Sequence, residues 1–242
     1  MNADSIERLV PDELHPDDAT GRDTLALHLE RYELAARHAR GRVLDCACGA
    51  GYGTRLVADR ASSQVVEAVG VDIAAEAVAY AQAHYGRAGV RYVHADATKF
   101  HDDGGGVFDT VISLETIEHV PDPTSLLRAL VSHLRPGGVM IASVPTTPSV
   151  DANPHHLHDF TEASFADMFA PYSLARVDEL RQVQPYSPIA ALRRSEQRMA
   201  DLRPSLARYY LKHPRAAVAR VASTLRYGFT NRYLTVVMKR GA

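Results

Sequence analysis

Cysteine is scarce in this chain, and the two present, Cys46 and Cys48, stand one residue apart. That spacing suits no disulfide framework, and two thiols are too few for a zinc site, so both read as small core residues. Long apolar runs are also missing: no window approaches the ~18 apolar residues of a membrane span. The opening MNADSIERLVPDEL has no apolar stretch preceded by basic residues, so a secretory leader is not expected and a cytoplasmic location follows. No internal repeat or low-complexity tract is visible. Hydrophobic residues at 46% and charged residues at 23% are ordinary for a globular protein and exclude disorder. The net charge of −2 conceals an asymmetry, because residues 187–226 hold nine Lys or Arg against Glu196 and Asp201, a local +7 that leaves −9 elsewhere.

What is present is a regular alternation. Residues 23–40 place Leu25, Leu29, Tyr32, Leu34 and Ala36 near helical spacing, with Gly41 as a stop. Strand-length apolar runs follow at 42–46, 65–72, 90–94, 108–114 and 139–144. Helices are expected between them at 54–60, 75–85 and 124–134. This order predicts an α/β fold with a parallel, doubly wound sheet. Beyond it lie a long loop, TTPSVDANPHHLHD, a helix opened by Thr161-Glu162, and two late strands at 174–183 and 232–239. A single domain over 1–242 is expected, with an N-terminal helical region 1–41 and a basic helical insertion at about 187–226.

The first strand runs into VLDCACGAGYG, where Asp45 precedes Gly49, Gly51 and Gly53. Glycines at such a turn let the backbone approach a ligand. A dinucleotide loop would be G-x-G-x-x-G and would seat a pyrophosphate on the helix N-terminus. Here the spacing is G-x-G-x-G, and the carboxylate before it would repel pyrophosphate while suiting a cationic sulfonium with a free amino group. Asp72, at the end of the second strand, is placed to accept both hydroxyls of a ribose. Asp96, after the third strand, is placed to accept from an adenine amino group. Strand-end aspartates are often no more than helix caps, but the set of three with this loop points to S-adenosylmethionine.

These motifs, with the fourth strand FDTVISLETIEHV and the turn LRPGGVMIAS, resemble the successive motifs of class I S-adenosylmethionine-dependent methyltransferases over roughly residues 25–161. The resemblance implies a Rossmann-like sheet of seven strands, mostly parallel with the last antiparallel. It also implies in-line methyl transfer at sulfur, in which the enzyme supplies alignment and exclusion of water. The candidate cofactor contacts are Tyr32, Asp45, Ala47, Gly49, Gly51, Asp72, Ile73, Asp96, Ala97 and Leu114. Ala47 stands where the family often has a further glycine. His28 and Tyr32, four residues apart on the leading helix, face one way and either pack or close over the site.

The fourth strand ends in SLETIEHVPDP, which sets Glu115, Glu118 and His119 at the sheet edge where ligands bind in such folds. Either the acids are solvated and His119 is a turn residue, or they hold a divalent cation with a further ligand from NPHHLHDFT. Oxygen ligands with imidazole suit Mg²⁺ or Mn²⁺ better than zinc or copper. E-x-x-E-H with a later histidine resembles the metal-using ubiquinone-pathway O-methyltransferases and small-RNA 2′-O-methyltransferases, with Glu115, Glu118, His119 and His156 at the matching positions. His155 and His158 flank His156, so the fourth ligand stays open between them. The N-P-x-H-x-x-[DE]-F-T pattern also resembles methyltransferases of glycan and glycolipid synthesis, for which no metal is implied. With a metal, an acceptor hydroxyl would be held and acidified. Without one, His119 or His156 would serve as general base.

Both routes predict O-methylation of a hydroxyl, on a small molecule, sugar or glycan. The alternatives are N- or C-methylation of a natural product, an RNA 2′-O-methyltransferase, and a binding module that has lost chemistry. Residues 187–226 interleave arginine with Tyr209, Tyr210 and Tyr227, which admits phosphate binding, a lid, a dimer arm or a surface for a lipid-linked acceptor. The plainer reading is a solvated helical face. Pro204 and Pro214 argue against one long membrane-lying helix, and a pI near 6.6 argues against general nucleic-acid binding.

Overall fold

The computed structural model describes residues 9–11, 14, 19–102, 106–188 and 205–241. Residues 189–204 of the expected basic insertion and most of the expected N-terminal region before Ala19 lie outside the described residues. The chain opens with α1 (Ala19–His38), followed by β1 (Gly41–Cys46), α2 (Tyr52–Arg60), β2 (Val65–Asp72), α3 (Ala75–Tyr85) and β3 (Val90–His94). Next come β4 (Phe108–Leu114), a single 3-10 turn (Ile117–His119), α4 (Pro123–His133), β5 (Leu134–Pro145) and α5 (Glu162–Asp167). The chain closes with β6 (Leu174–Pro185), α6 (Leu206–Lys212), α7 (Pro214–Tyr227) and β7 (Thr230–Arg240).

One seven-stranded sheet has the order β3-β2-β1-β4-β5-β7-β6. β1 to β5 pair in parallel, and β7 runs antiparallel to both of its neighbours. Reversal of order at β1 and β4 puts a crevice outside the carboxyl ends of the strands, where open α/β sheets bind ligands.

Both faces of the sheet are covered, so its central strands are apolar on successive residues. Val43, Ile112 and Ile141 face α1, α2 and α3, packing with Leu34, Ala35, Val57 and Ala81. Their neighbours Leu44, Val111 and Met140 face the other way, onto Leu126, Leu130, Phe165 and Phe169 of α4, α5 and the turn beyond. This period of two under continuous burial explains why the strands read as unbroken apolar runs.

Local chemistry sets the element ends. Asp122 caps α4 by accepting from Ser125 N at 3.0 Å, with Pro123 in the first turn. Thr161 and Ser164 form a reciprocal capping box at α5. β5 begins five residues before the expected Val139, because Leu134 already pairs with Phe108 of β4. α1 starts earlier and ends sooner than expected, and α2 starts at Tyr52 rather than Thr54.

Candidate functional site

At the carboxyl edge lies a cleft of about 900 Å³. Its donor half is built on β1. Asp45, 1% exposed, accepts at Oδ2 from Thr54 Oγ1 at 2.6 Å and from Tyr32 OH at 3.3 Å. Its Oδ1 is buried and accepts no hydrogen bond among the described residues. Burial is the main force pushing this carboxyl up to about 7; the bonds from Thr54 and Tyr32 oppose the rise, and the charge of Asp72 adds to it. A buried carboxyl with one unbonded oxygen favours an N–H donor or a cation nearby.

Asp72 is held at both oxygens, by Gly49 N on Oδ2 and Ala74 N on Oδ1, each at 2.9 Å. The loop between them turns through left-handed backbone at Ala47 (φ 58°), Gly49 (φ 55°) and Gly51 (φ 88°). For Ala47 this conformation carries strain of about 1 kcal/mol. Two of the loop glycines make room for protein side chains. A Cβ on Gly51 would lie 2.5 Å from Ala81 Cβ and 2.7 Å from the Tyr92 ring, and one on Gly53 would lie 2.0 Å from the Tyr32 ring. Gly53 thereby lets Tyr32 reach Asp45.

Tyr32, Ala47, Gly49, Asp72, Ile73, Asp96 and Leu114 line the cleft. Asp45 and Gly51 lie behind that surface. Ala97 packs against the hydrophobic core, and Thr98, absent from the sequence reading, takes a place in the lining. Asp96 accepts at Oδ1 from both Thr98 N (2.9 Å) and Thr98 Oγ1 (2.7 Å), which holds its carboxyl below the usual range and commits that oxygen locally. His28 shares a 3.0 Å hydrogen bond with the Tyr52 hydroxyl, and both line the cleft.

The other half is assembled from distant segments. Glu118, fully buried on the 3-10 turn, lies 4.0 Å from His119 Nε2. The His119 and His156 rings stand perpendicular at 4.6 Å. One ligand atom from each of Glu118, His119 and His156 falls within 4.8 Å of the others, a set able to hold a metal ion. His119 Nδ1 lies 3.2 Å from the His155 carbonyl, which can only accept, so Nδ1 is the donor there and Nε2 faces Glu118. His156 Nδ1 bonds Ser149 Oγ at 2.7 Å. Of the loop histidines, His155 is exposed and His158 bonds the Val120 carbonyl, so His156 is the one brought to His119. The loop is tied to the turn by Leu157 N donating to Glu118 O at 2.8 Å.

Glu115 stands outside this set. Its backbone is left-handed (φ 49°), and Ser143 Oγ donates to its Oε1 at 2.7 Å. The same carboxylate lies 3.6 Å from Arg31 Nη1. Arg31 is 1% exposed yet lines the cleft, donating from Nε to Gln182 Oε1 at 2.7 Å and stacking over Tyr233 at 4.5 Å. The sequence reading missed it. Its signal was a charge three residues after His28 and one before Tyr32, on the inward face of α1. Also missed was Arg220 of α7, which lines the cleft and grips Asp151 through Nε (2.8 Å) and Nη2 (2.5 Å). Tyr210 of α6 donates to the same carboxylate at 2.6 Å.

Comparison with known proteins agrees with this geometry. Residues 44–142 match the methyltransferase domain family. A ubiquinone biosynthesis O-methyltransferase of Xanthomonas euvesicatoria pv. vesicatoria is 38% identical over 125 residues, 50% of this chain and 49% of that one. The chain spans about half the length of the curated relatives it matches. Among solved structures, the YcgJ protein of Bacillus subtilis superposes with a TM-score of 0.63 at 19% identity, covering 89% of this chain and all of that one. The N-methyltransferase NodS of Bradyrhizobium japonicum WM9, in complex with S-adenosyl-L-homocysteine, gives 0.60 at 13% identity, covering 94% and 90%. At these identities the structural likeness speaks for the fold alone. Residues 44–142 are thus similar to a methyltransferase domain, and the sheet order and the Asp45–Asp72 loop agree with that likeness.

Proposed function

We propose that this protein transfers the methyl group of S-adenosylmethionine to a hydroxyl of a small-molecule acceptor, with a divalent cation held by Glu118, His119 and His156. The convergence of one buried carboxylate and two imidazoles beside the donor pocket carries this reading. The ubiquinone biosynthesis O-methyltransferases that match half of the chain support the hydroxyl class.

S-Adenosylmethionine supplies an activated methyl on a sulfonium, and the cation would supply Lewis acidity at the acceptor oxygen. The remaining work belongs to the chain. Asp45, just behind the cleft wall, attracts the ammonium end of the donor through its charge, and Asp72 accepts from its ribose. Tyr32 and Thr54 fix the Asp45 carboxylate, so little reorganisation accompanies binding. His119 presents Nε2 to the acceptor side, oriented by the His155 carbonyl. Ser149 orients His156, and Asp159 in turn accepts from Ser149 N at 2.7 Å and Val150 N at 3.0 Å. The Arg31–Glu115 pair forms part of the cleft wall. A sugar or glycan acceptor falls within the hydroxyl class; mixed donors such as Asn153, Asn231 and Gln184 in the lining suit a polyol as well as a phenol.

The test is methyl transfer to a panel of catechol, phenol and polyol acceptors with metal-stripped protein, then with Mg²⁺ or Mn²⁺ restored. Activity that needs the ion and disappears in Glu118→Gln supports the reading. Full turnover in chelator would remove the cation and leave His119 or His156 as the proton acceptor. Methylation confined to nitrogen or carbon acceptors would overturn the hydroxyl assignment.

A further inference from the structure

Helix α7 is built inside out. Its inward face carries Ala216, Ala217, Arg220, Ser223, Thr224 and Tyr227, and no residue of the helix is buried. Its larger aliphatic side chains point outward: Val218, Val221 and Leu225 are 70%, 58% and 84% exposed, at the i, i+3, i+7 spacing of one helical stripe. Leu211 of α6 is 86% exposed on the same appendage. Helices packed on a protein core show the opposite polarity, so this stripe is not explained by folding within the described residues.

The charge around the stripe identifies what covers it. Residues 205–228 hold Arg208, Lys212, Arg215, Arg220 and Arg226 and no acidic residue. Arg220 is committed to Asp151, and Arg208, Lys212, Arg215 and Arg226 remain exposed around the apolar stripe. A second copy docked through the same face would oppose two such cationic surfaces, which Coulomb repulsion disfavours. A nucleic acid would use the charges and leave the valines and leucine in water. An anionic lipid surface uses both, seating the aliphatic stripe at the acyl boundary and the guanidinium and ammonium groups among the headgroups. No helix among the described residues is long and apolar enough to cross a membrane. The break at Pro214 leaves two short helices, so attachment is shallow and reversible.

We propose that α6 and α7 dock this protein on an anionic membrane surface. The inward side of the same helix explains the placement: Arg220 reaches from α7 into the cleft wall and clamps Asp151 on the loop that carries His156. The docking face and the acceptor cleft therefore lie on opposite sides of one helix, about 10 Å across. This inference does not depend on whether the acceptor atom is oxygen or on the cation.

The experiment is co-sedimentation of the full chain with vesicles of phosphatidylcholine mixed with phosphatidylglycerol, against phosphatidylcholine alone, at low and high salt. Binding to the anionic vesicles alone, weakened by salt, is expected. Val218→Ser with Val221→Ser and Leu225→Ser should weaken it about tenfold or more while S-adenosylmethionine affinity stays unchanged. Should that variant fail to bind the cofactor, Arg215→Glu with Arg226→Glu provides the second arm, with a similar loss expected. Absence of vesicle binding overturns the proposal. So does binding that the charge variant abolishes and the serine variant leaves intact, the behaviour of a nonspecific polyanion site. Self-association in solution that the serine variant dissolves, without vesicle binding, would assign the stripe to a second copy.

Discussion

The two halves of the cleft differ in how they are made. The donor half comes from one short stretch, residues 45–54, completed by Asp72 and by Tyr32 of α1. The acceptor half draws Glu118 and His119 from a turn after β4, His156 from a loop after β5, Arg31 from α1 and Arg220 from α7. The donor half is thus a local motif held by backbone amides and glycine packing, whereas the acceptor half exists only through tertiary contacts. A loop of one sequence pattern can serve many enzymes because its geometry is encoded within itself; the acceptor wall differs because each segment contributes one or two side chains.

The largest expected effect tests the donor half. Asp72→Ala removes the acceptor of Gly49 N and Ala74 N, and with it the proposed ribose contact. S-Adenosylmethionine Kd should rise at least about 100-fold, read by calorimetry, since hydrogen bonds to a charged group contribute ~1.5–3 kcal/mol each. A change under tenfold would mean that the loop holds its shape without this carboxylate. Glu118→Gln sharpens the contrast from the other side: kcat should fall by about 100-fold, at or beyond the loss seen on removing outer partners of a metal site, with cofactor Kd within twofold. Equal damage to both parameters would break the division into halves.

A pH dependence follows from Asp45. Its folded pKa is raised to about 7, so the apo protein binds a proton there that the unfolded chain, near ~3.9, releases. The sign is destabilising for the ionised form: stability associated with this group is present below the unfolded pKa and is lost as pH rises toward 7. Cationic donor binding favours the ionised carboxylate, so affinity should fall with decreasing pH below about 7, by up to about tenfold per unit. Proton release on binding, measured in buffers of different ionisation enthalpy, should vanish in Asp45→Asn.

Smaller effects belong to the Arg220–Asp151 pair. Burial would raise the Asp151 carboxyl, but the hydrogen bonds and charge of Arg220, with the Tyr210 hydroxyl, hold it below the usual range. The stabilisation is present above the unfolded carboxylate range and is lost as pH falls through the depressed value. Arg220→Ala should cost about 1–3 kcal/mol in thermal or denaturant unfolding, discounted because the guanidinium is partly solvated. It should raise acceptor KM more than cofactor Kd. Least of all, Val218→Ser should change stability by no more than about 0.5 kcal/mol, as expected of an exposed site.

Much of the fold was legible because its signals are local. Leu44 and Val43 had to face opposite sides, and their continuous apolar run announced a strand covered on both faces. Asp122 with Pro123 and Thr161 with Ser164 marked helix starts by chemistry within one turn. The Leu134 start of β5 was hidden, since Pro136 and the glycines after it suggested a turn where the chain already pairs with Phe108. In the site, the glycine loop after β1 was legible, but that Gly53 makes room for the Tyr32 ring was not. Glu115 and Glu118 have the same residue type and nearly the same position. Left-handed backbone at Glu115 turns it toward Ser143 and Arg31, while Glu118 goes to the histidines.

By itself the sequence determined the alternating sheet and helices, the turn after β1 and the acidic chemistry that suits a cationic methyl donor. Periodicity, capping and φ preferences act over a few residues, so they can be read along the chain. Tertiary structure alone decided that His156 rather than His155 or His158 meets His119, that Arg31 enters the cleft as a buried cation, and that α7 turns its aliphatic stripe to the outside. Those outcomes depend on which segments pack together and in what register, because a side chain's partner is fixed only when two distant pieces of backbone are brought to one place.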